Sequence, residues 1–332
     1  MPLRSRARFP DVPLDRPHYE SFYIKASHPG GGLGLWLRHT VLKAPGERPR
    51  GALWLTLFDR ASTGPVGLKA SYPHERVSAP EPSYIRIGEA SLEPGVASGS
   101  LEAGSHGHAR WALRFQEGPP AFHYLPRMWM YEGRLPRTKA LSLYPAVAFS
   151  GTVSVGTRAL ELEAWPGMIG HNWGSEHAQR SSWLHATAFA EQPEARLDVV
   201  LARVRLGPVL TPWIANGCLW LDGRGHRLGG LRPGAASFRE GSFGASFELR
   251  GAGVALAGEV EAPAEQFAAW RYGHPDGGWH PTLNCSVADL RLRVRGGASA
   301  ERPLHARGTA AYEIQLAPGA QTTVPLQPFG DP

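Results

Sequence analysis

Residues 161–178 read ELEAWPGMIGHNWGSEHA, and this stretch decides the fold prediction. Leu160 and Leu162 alternate with Glu161 and Glu163, which is the two-residue period of a β-strand with one buried face. The strand pattern runs into a Gly-rich segment that carries two His, two Trp, an Asn and a third acidic residue. The stretch therefore combines strand structure with groups that can move a proton, and we expect it to join two units of the fold.

Short strand patterns extend in both directions from this stretch, and they repeat. Three segments before it are echoed in the same order and at nearly constant separation: 21–26 by 182–187, 33–37 by 197–201 and 53–55 by 219–221. Residues 167–172 are similarly echoed by 308–313. A tandem repeat explains this order, although any two β-meanders share some similarity. We predict an all-β protein of two antiparallel barrels, with domains 1–174 and 175–332.

Composition limits the classes of function. The chain has 332 residues, a formal net charge of +6, and arginines scattered singly along the predicted strands, so we do not expect nucleic-acid binding. Cys218 and Cys285 match no disulfide scaffold or zinc spacing. Residues 1–8 are basic, which leaves contact with an acidic membrane surface open, but a solvated terminus is the simpler interpretation. Without a signal peptide or a long apolar run, the expected location is cytoplasmic.

The stretch 167–178, followed by Trp183-Leu184-His185, resembles the central Asn-Trp-Gly signature of a known superfamily. This is the lipocalin-like superfamily of hydroxyneurosporene synthase, tocopherol cyclase and the AttH-like proteins. Residues 136–139 and 149–151 are similar to the strand that leads into the signature. The resemblance implies two lipocalin-like (calycin) barrels and chemistry on apolar molecules. His171 stands in the region where the hydratases and cyclases tend to carry an aspartate. The resemblance is therefore better evidence for the fold than for the reaction.

The signature supplies candidate catalytic residues. His171 and Glu176 are predicted to act as an acid–base pair, because the surrounding glycines and Pro166 can turn the chain sharply, and Asn172 is predicted to orient one of them. In the alternative interpretation, the polar side chains of this segment hydrogen-bond to backbone groups and fix the inter-domain turn.

Aromatic and imidazole side chains are predicted to line an apolar cavity, and each of them could equally pack in a core. The predicted substrate-binding residues are Trp129, Tyr131, Tyr144, Trp173, His177, Trp183, His185 and Trp213. The spacing of His171, His177 and His185 matches no metal-binding pattern. We therefore expect neither a metal nor a cofactor.

Three other carboxylates have open interpretations. Glu161, Glu163 and Trp165 are separated by two residues each, so in a strand all three side chains lie on the same face. That face points either into the barrel lumen or to solvent, and we favour solvent. Asp198 begins a predicted strand whose other residues on the same face are apolar. It is either catalytic or paired with Arg203 or Arg38. We favour the ion pair.

Together these features predict a cofactor-independent cyclase, hydratase or isomerase that acts on an apolar isoprenoid or polyketide-like molecule. The alternative is a non-catalytic intracellular carrier that uses the same cavity for a hydrophobic ligand. A carbohydrate-active β-protein is a third option, with Glu161 and Glu163 as its carboxylates.

Overall fold

The computed structural model describes residues 6–296 and 300–329. Strands from the first half of the chain form one sheet. These are β1 His18–Ser27, β2 Leu33–Lys43, β3 Arg50–Asp59, β4 Val66–Tyr72, β5 Val77–Ser78, β6 Ile85–Ile87, β7 Ala90–Glu93, β8 Val96–Glu102, β9 His108–Phe115, β10 Phe122–His123, β11 Thr138–Val155 and β12 Arg158–Gly174.

The second half provides the remaining strands. They are β13 Arg180–Ala186, β14 Arg196–Arg203, β15 Arg205–Leu206, β16 Val209–Leu210, β17 Ile214–Leu221, β18 Arg224–Gly229, β19 Ala236–Glu240, β20 Gly244–Gly251, β21 Val254–Glu261, β22 Ala268–Gly273, β23 Trp279–Gly296 and β24 Arg302–Gln315. The helices are short: α1 Trp129–Glu132 and the 3-10 turns Phe9–Asp11, His74–Arg76, Gly104–His106 and Ala264–Gln266. None of the helices in these two ranges is long and apolar enough to cross a bilayer.

Two antiparallel sheets curl into two closed or nearly closed barrels, which confirms the predicted all-β class. The first has the order β4-β3-β2-β1-β12-β11-β9-β8-β7-β6-β5, with β10 on β11. The second has the order β18-β17-β14-β13-β24-β23-β21-β20-β19, with β22 on β23, and a β18–β20 pairing brings its ends together. The segments that repeat in the sequence occupy equivalent strands, because β3-β2-β1-β12-β11 corresponds to β17-β14-β13-β24-β23.

The two-residue period decides which side chains enter each barrel. In β9 the residues from Ala109 to Phe115 are alternately buried and exposed, with Trp111 and Leu113 inside. Glu161 and Glu163 of β12 are exposed, as the favoured interpretation predicts. Trp165 is buried instead, so the predicted common side of all three residues is wrong.

A left-handed residue explains the change of side in β12. Ala164 has a φ of 49°, and the pairing of β11 with β12 shifts register between Phe149 and Gly151. An inserted residue of this kind reverses the alternation, because every following side chain moves to the opposite face.

Strand β1 is buried along its whole length, because each of its faces is covered by a different barrel. Phe22, Ile24 and Ala26 belong to the core of the first barrel, whereas Tyr23 contacts Trp183 of the second, with ring centroids 5.4 Å apart. Beside this contact, Trp36 and Trp54 of the first barrel pack with Trp270 of the second. These face-to-face contacts hold the two barrels together.

A glycine in β12 makes room for one of these contacts. Gly170 pairs with Tyr23, and a methyl group at Gly170 would overlap the Tyr23 ring. We therefore expect Gly170→Ala to displace Tyr23 and to lower the free energy of unfolding by about 1–3 kcal/mol. Urea unfolding measures this loss. The control is Gly296→Ala at the end of β23, where φ is likewise not positive and a methyl group would come no closer than 3.8 Å to another described residue. Equal losses in both variants would contradict the steric explanation.

Candidate functional site

The inter-barrel layer is a row of buried polar side chains between the two barrels. From β1 it contains Tyr19, Ser21, Tyr23 and Lys25, all less than a tenth exposed, which alternate with the residues that enter the first barrel. A half-apolar, half-polar strand normally has its polar face in water. Here that face packs on β13, β14, β23 and β24 of the second barrel, so its polar groups are desolvated.

Asp198 of β14 is fully buried in this layer. Its Oδ1 accepts hydrogen bonds from Tyr124 Oη at 2.7 Å and from Trp183 Nε1 at 3.1 Å. Its Oδ2 makes no hydrogen bond of normal geometry with the described residues, and the hydroxyl of Ser142 lies near the carboxyl group. Burial raises the pKa of Asp198 to about 6, although these donors oppose the rise.

The ion pair predicted for Asp198 is wrong. No salt bridge joins its carboxylate to Arg203 or Arg38 in the part of the chain that the structure describes. Arg203 lies further along β14, where its Nε donates to the carbonyl of Thr211 at 2.9 Å. Asp198 is therefore held by neutral donors, which stabilise a carboxylate less than a cation does.

Glu313 of β24 is the second carboxyl group of the layer. Its Oε2 accepts hydrogen bonds from Tyr272 Oη and Asn284 Nδ2, both at 3.0 Å, while its Oε1 makes none within the described residues. Burial raises the pKa of Glu313, and the positive charge of Arg38 acts in the opposite direction. Tyr23 lies near both acids, and its pKa is raised by burial and by the charges of Asp198 and Glu313.

The layer opens at one end in a small mouth. A cavity of about 30 Å³ there is lined by Tyr19, Arg38, Trp54, His177 and Tyr272, among other residues. The imidazole of His177 stacks on Tyr19 with centroids 3.9 Å apart, and its Nε2 donates to the carbonyl of Gly273 at 3.2 Å. Burial, His274 and Arg38 together lower the pKa of His177 to about 3, so this ring is neutral at physiological pH.

His177 is part of a cluster of three imidazoles. His280 Nδ1 and His274 Nε2 lie 2.9 Å apart, and both rings contact His177. Despite this proximity, no group of three His, Cys, Asp or Glu side chains within 6–296 and 300–329 has an arrangement that could hold a metal ion.

His171 lies elsewhere, inside the first barrel, where the predicted pair with Glu176 is not formed. Its Nε2 donates to Glu20 Oε1 at 2.7 Å, and its ring stacks between Phe22 and Trp173. Glu176 is exposed and binds Arg137, with Oε2 and Nη1 2.8 Å apart. The chain leaves the barrel between these residues and therefore separates them. Asn172 Oδ1 is buried without a hydrogen-bond partner in the described chain, so it orients neither side chain through that atom.

Glu20 fixes the N-terminal segment against the first barrel. Its carboxylate accepts hydrogen bonds from the backbone N–H groups of Arg8 and Phe9, each 2.8 Å from an oxygen. Burial alone would raise the pKa of Glu20, but hydrogen bonds and charge from His171 and His18 lower it to about 2. Of the terminus predicted to be solvated, residues 1–8, Ala7 is buried, so the prediction is wrong for this residue, and Met1–Ser5 lie outside the described residues. The neighbouring Phe9 is also buried.

The predicted substrate-binding residues separate into four places. His177, Trp183 and His185 lie between the barrels. Trp173, Tyr131 and Tyr144 pack in the first barrel, and Trp213 packs against the core of the second. Trp129 is 64 % exposed on α1, so it lines no cavity. Sequence analysis missed Glu313 and Tyr272, and it considered Arg38 only as a possible partner of Asp198. The alternating polar residues of β1 were the available signal for the layer.

Similar proteins are known from sequence and from structure. No family model matches the chain. An uncharacterized protein of Mycobacterium tuberculosis, found in two strains, is 23 % identical over 89 % of this chain and 88 % of its own.

Two solved structures resemble this chain along most of its length. The crystal structure of a protein assigned as AttH from Nitrosomonas europaea superposes with a TM-score of 0.58 at 12 % identity, covering 95 % of this chain and 98 % of the other. Kievitone hydratase from Nectria haematococca superposes with a TM-score of 0.52 at 9 % identity, covering 91 % and 89 %. At these identities the likeness concerns the fold. The resemblance found in the sequence is thus confirmed at that level: the chain has the lipocalin-like two-barrel fold that an AttH-like protein and a hydratase share.

Proposed function

We propose that this protein is a cofactor-independent enzyme of the hydratase type, acting on an apolar small molecule at the mouth of the inter-barrel layer. Glu313 carries the proposal. It is a largely buried carboxyl group with a raised pKa, and Tyr272, which lines the mouth cavity, donates a hydrogen bond to its Oε2. Asn284 also donates to Oε2, and Oε1 makes no hydrogen bond within the described residues. A carboxyl group whose pKa is raised in this way can act as a general acid and, once ionised, as a general base.

Water addition to a carbon–carbon double bond needs both of these transfers. The protonated Glu313 gives its proton to one alkene carbon, and a water molecule attacks the other carbon. The resulting carboxylate then accepts a proton from that water, which restores the acid and balances the reaction.

The same groups could catalyse a cyclisation or an isomerisation of a polyene, because both begin with protonation of an alkene. The fold shared with a hydratase supports water addition, and a neutral ring such as His177 beside the mouth is compatible with either outcome. A carrier, by contrast, would need to enclose its ligand, and pockets for small molecules typically hold roughly 300–1,000 Å³. The mouth cavity holds about 30 Å³, so the mouth must widen for any ligand body to enter.

Mass spectrometry in water labelled with heavy oxygen distinguishes these functions. The purified protein is incubated with kievitone, other prenylated phenols and linear polyenes. We expect at least one compound to gain a labelled water, with a Glu313→Gln variant as the inactive control. An isomer without label would indicate a cyclase or isomerase. A ligand that copurifies from cells and is never converted would indicate a carrier and contradict the proposal.

A further inference from the structure

We propose that Arg38 anchors a carboxylate group of the ligand, so that the natural ligand is an apolar acid rather than a neutral molecule. This inference rests on the proposed site at the mouth of the inter-barrel layer. Arg38 belongs to β2, is only 6 % exposed, and lines the mouth cavity. Its Nε donates to Ser21 Oγ at 2.6 Å, which fixes the direction of the guanidinium group.

The guanidinium group has aromatic neighbours and no ion pair among the described residues. Its Cζ lies 4.2 Å from the ring centroid of Tyr272 and 5.6 Å from those of Trp36 and Trp54. No carboxylate lies within 4.0 Å of it in residues 6–296 or 300–329. The charge of Arg38 acts on Glu313 from a greater distance, and Oε2 of that residue is engaged by Tyr272 and Asn284. A buried cation without a paired anion is costly, and a ligand carboxylate would remove that cost.

The charge of Arg38 acts on the neighbouring imidazoles. The positive charge of Arg38 contributes to the lowered pKa values of His177 and His280. Glu20 also borders the cavity, but its carboxylate is engaged by His171 and by backbone N–H groups. Arg38 is therefore the cation of the cavity lining that lies nearest these neutral imidazoles.

The size of the cavity fits a small polar group. A volume of about 30 Å³ is roughly twice what one water molecule requires, which corresponds to the two oxygens of a carboxylate. The Nη atoms of Arg38 could bind both oxygens in the paired geometry that guanidinium and carboxylate groups favour. The apolar body of the ligand would lie further out, against Trp54, Val41 and the stacked rings of Tyr19 and His177.

Naphthoate and naphthamide test this inference, because they have the same shape and differ in charge. Isothermal titration calorimetry measures their binding to the wild type, to Arg38→Met and to a matched control, Arg271→Met. Arg271 lies next to Tyr272 in β22 and also stacks on a Trp ring, that of Trp279, at 5.3 Å. We expect the wild type and Arg271→Met to prefer naphthoate by about 10-fold or more, and Arg38→Met to lose that preference.

Equal binding of both probes by the wild type, binding of neither, or a preference that survives Arg38→Met would overturn the inference. Arg38→Lys keeps the charge but not the paired donors, so it provides a second test if Arg38→Met does not fold. We expect Arg38→Lys to retain only part of the preference. Because the binding assay needs no turnover, the two proposals fail separately. A preference for naphthoate in a protein that hydrates none of the alkenes tested would contradict the proposed function alone. Hydration of neutral compounds without this preference would contradict the Arg38 inference alone.

Discussion

Glu313→Gln is expected to lower the rate of water addition by about 100-fold or more, because general acid–base catalysis typically contributes 10²–10⁴-fold. The amide has nearly the shape of the acid and can still accept hydrogen bonds from Tyr272 and Asn284 through its oxygen. It cannot give or take the proton, so substrate binding should persist while turnover is lost. Initial rates in labelled water, together with the binding constant for the same substrate, measure the two effects separately.

A matched variant guards against a general effect of the charge change. Glu259 is exposed on β21, and Glu259→Gln removes the same charge away from the mouth. This variant should retain the wild-type rate. Full activity in Glu313→Gln would exclude Glu313 as the acid, and the buried Asp198, with its pKa of about 6, would then be the next carboxyl group to replace.

The architecture could be predicted from sequence because its signals are local. Alternation over a few residues identified the strands, and the repeated order of segments identified two equivalent sheets. The error at Trp165 has a local cause that composition does not reveal, since Ala164 is not a residue that typically adopts a left-handed conformation. One such residue was enough to move Trp165 from the predicted face of β12 to the other.

The site was harder to predict because it depends on which strand face the second barrel covers. His171 and Glu176 are close in sequence, but the first enters a barrel and the second faces solvent. Glu313 lies at the end of segment 308–313, which sequence analysis matched to 167–172 without assigning it a role. Alternating polar and apolar residues, as in β1, normally predict a strand with one face exposed to solvent. Tyr23 and Lys25 belong to a buried layer only because the second barrel packs on that face.

Acid is expected to destabilise the protein well above the pH at which ordinary carboxylates titrate, because several imidazoles are buried in their neutral form. Burial lowers the pKa of His39 to about 4, and burial with neighbouring charges lowers that of His177 to about 3. Below pH 6.5 the unfolded chain binds protons at these sites while the folded protein does not, so stability falls as the pH falls. At pH 5 each of the two contributes a loss of up to about 2 kcal/mol.

Two acids act in the opposite direction. The pKa of Asp198 is raised to about 6, and that of Glu313 is also raised, so protonation of these groups stabilises the folded state as the pH falls below 6. For Asp198 this gain is only about 1 kcal/mol at pH 5. The imidazoles of His171 and His185, whose pKa values burial also lowers, add to the loss. His39, His177 and Asp198 alone give a net loss of about 2–3 kcal/mol between pH 7 and pH 5, which urea unfolding measures.

His39→Leu isolates one of these contributions. His39 lies in the first barrel beside Trp111, and neither of its ring nitrogens has a hydrogen-bond partner among the described residues. Leucine removes two unsatisfied polar atoms, so the free energy of unfolding should rise by about 1–3 kcal/mol at pH 7. The rise should increase towards pH 4, because only the wild type must keep an unprotonated imidazole there. His108→Leu makes the same replacement at an exposed position of β9, so it should not raise the free energy of unfolding at pH 7. An identical pH dependence in His39→Leu and the wild type would show that His39 does not titrate as proposed.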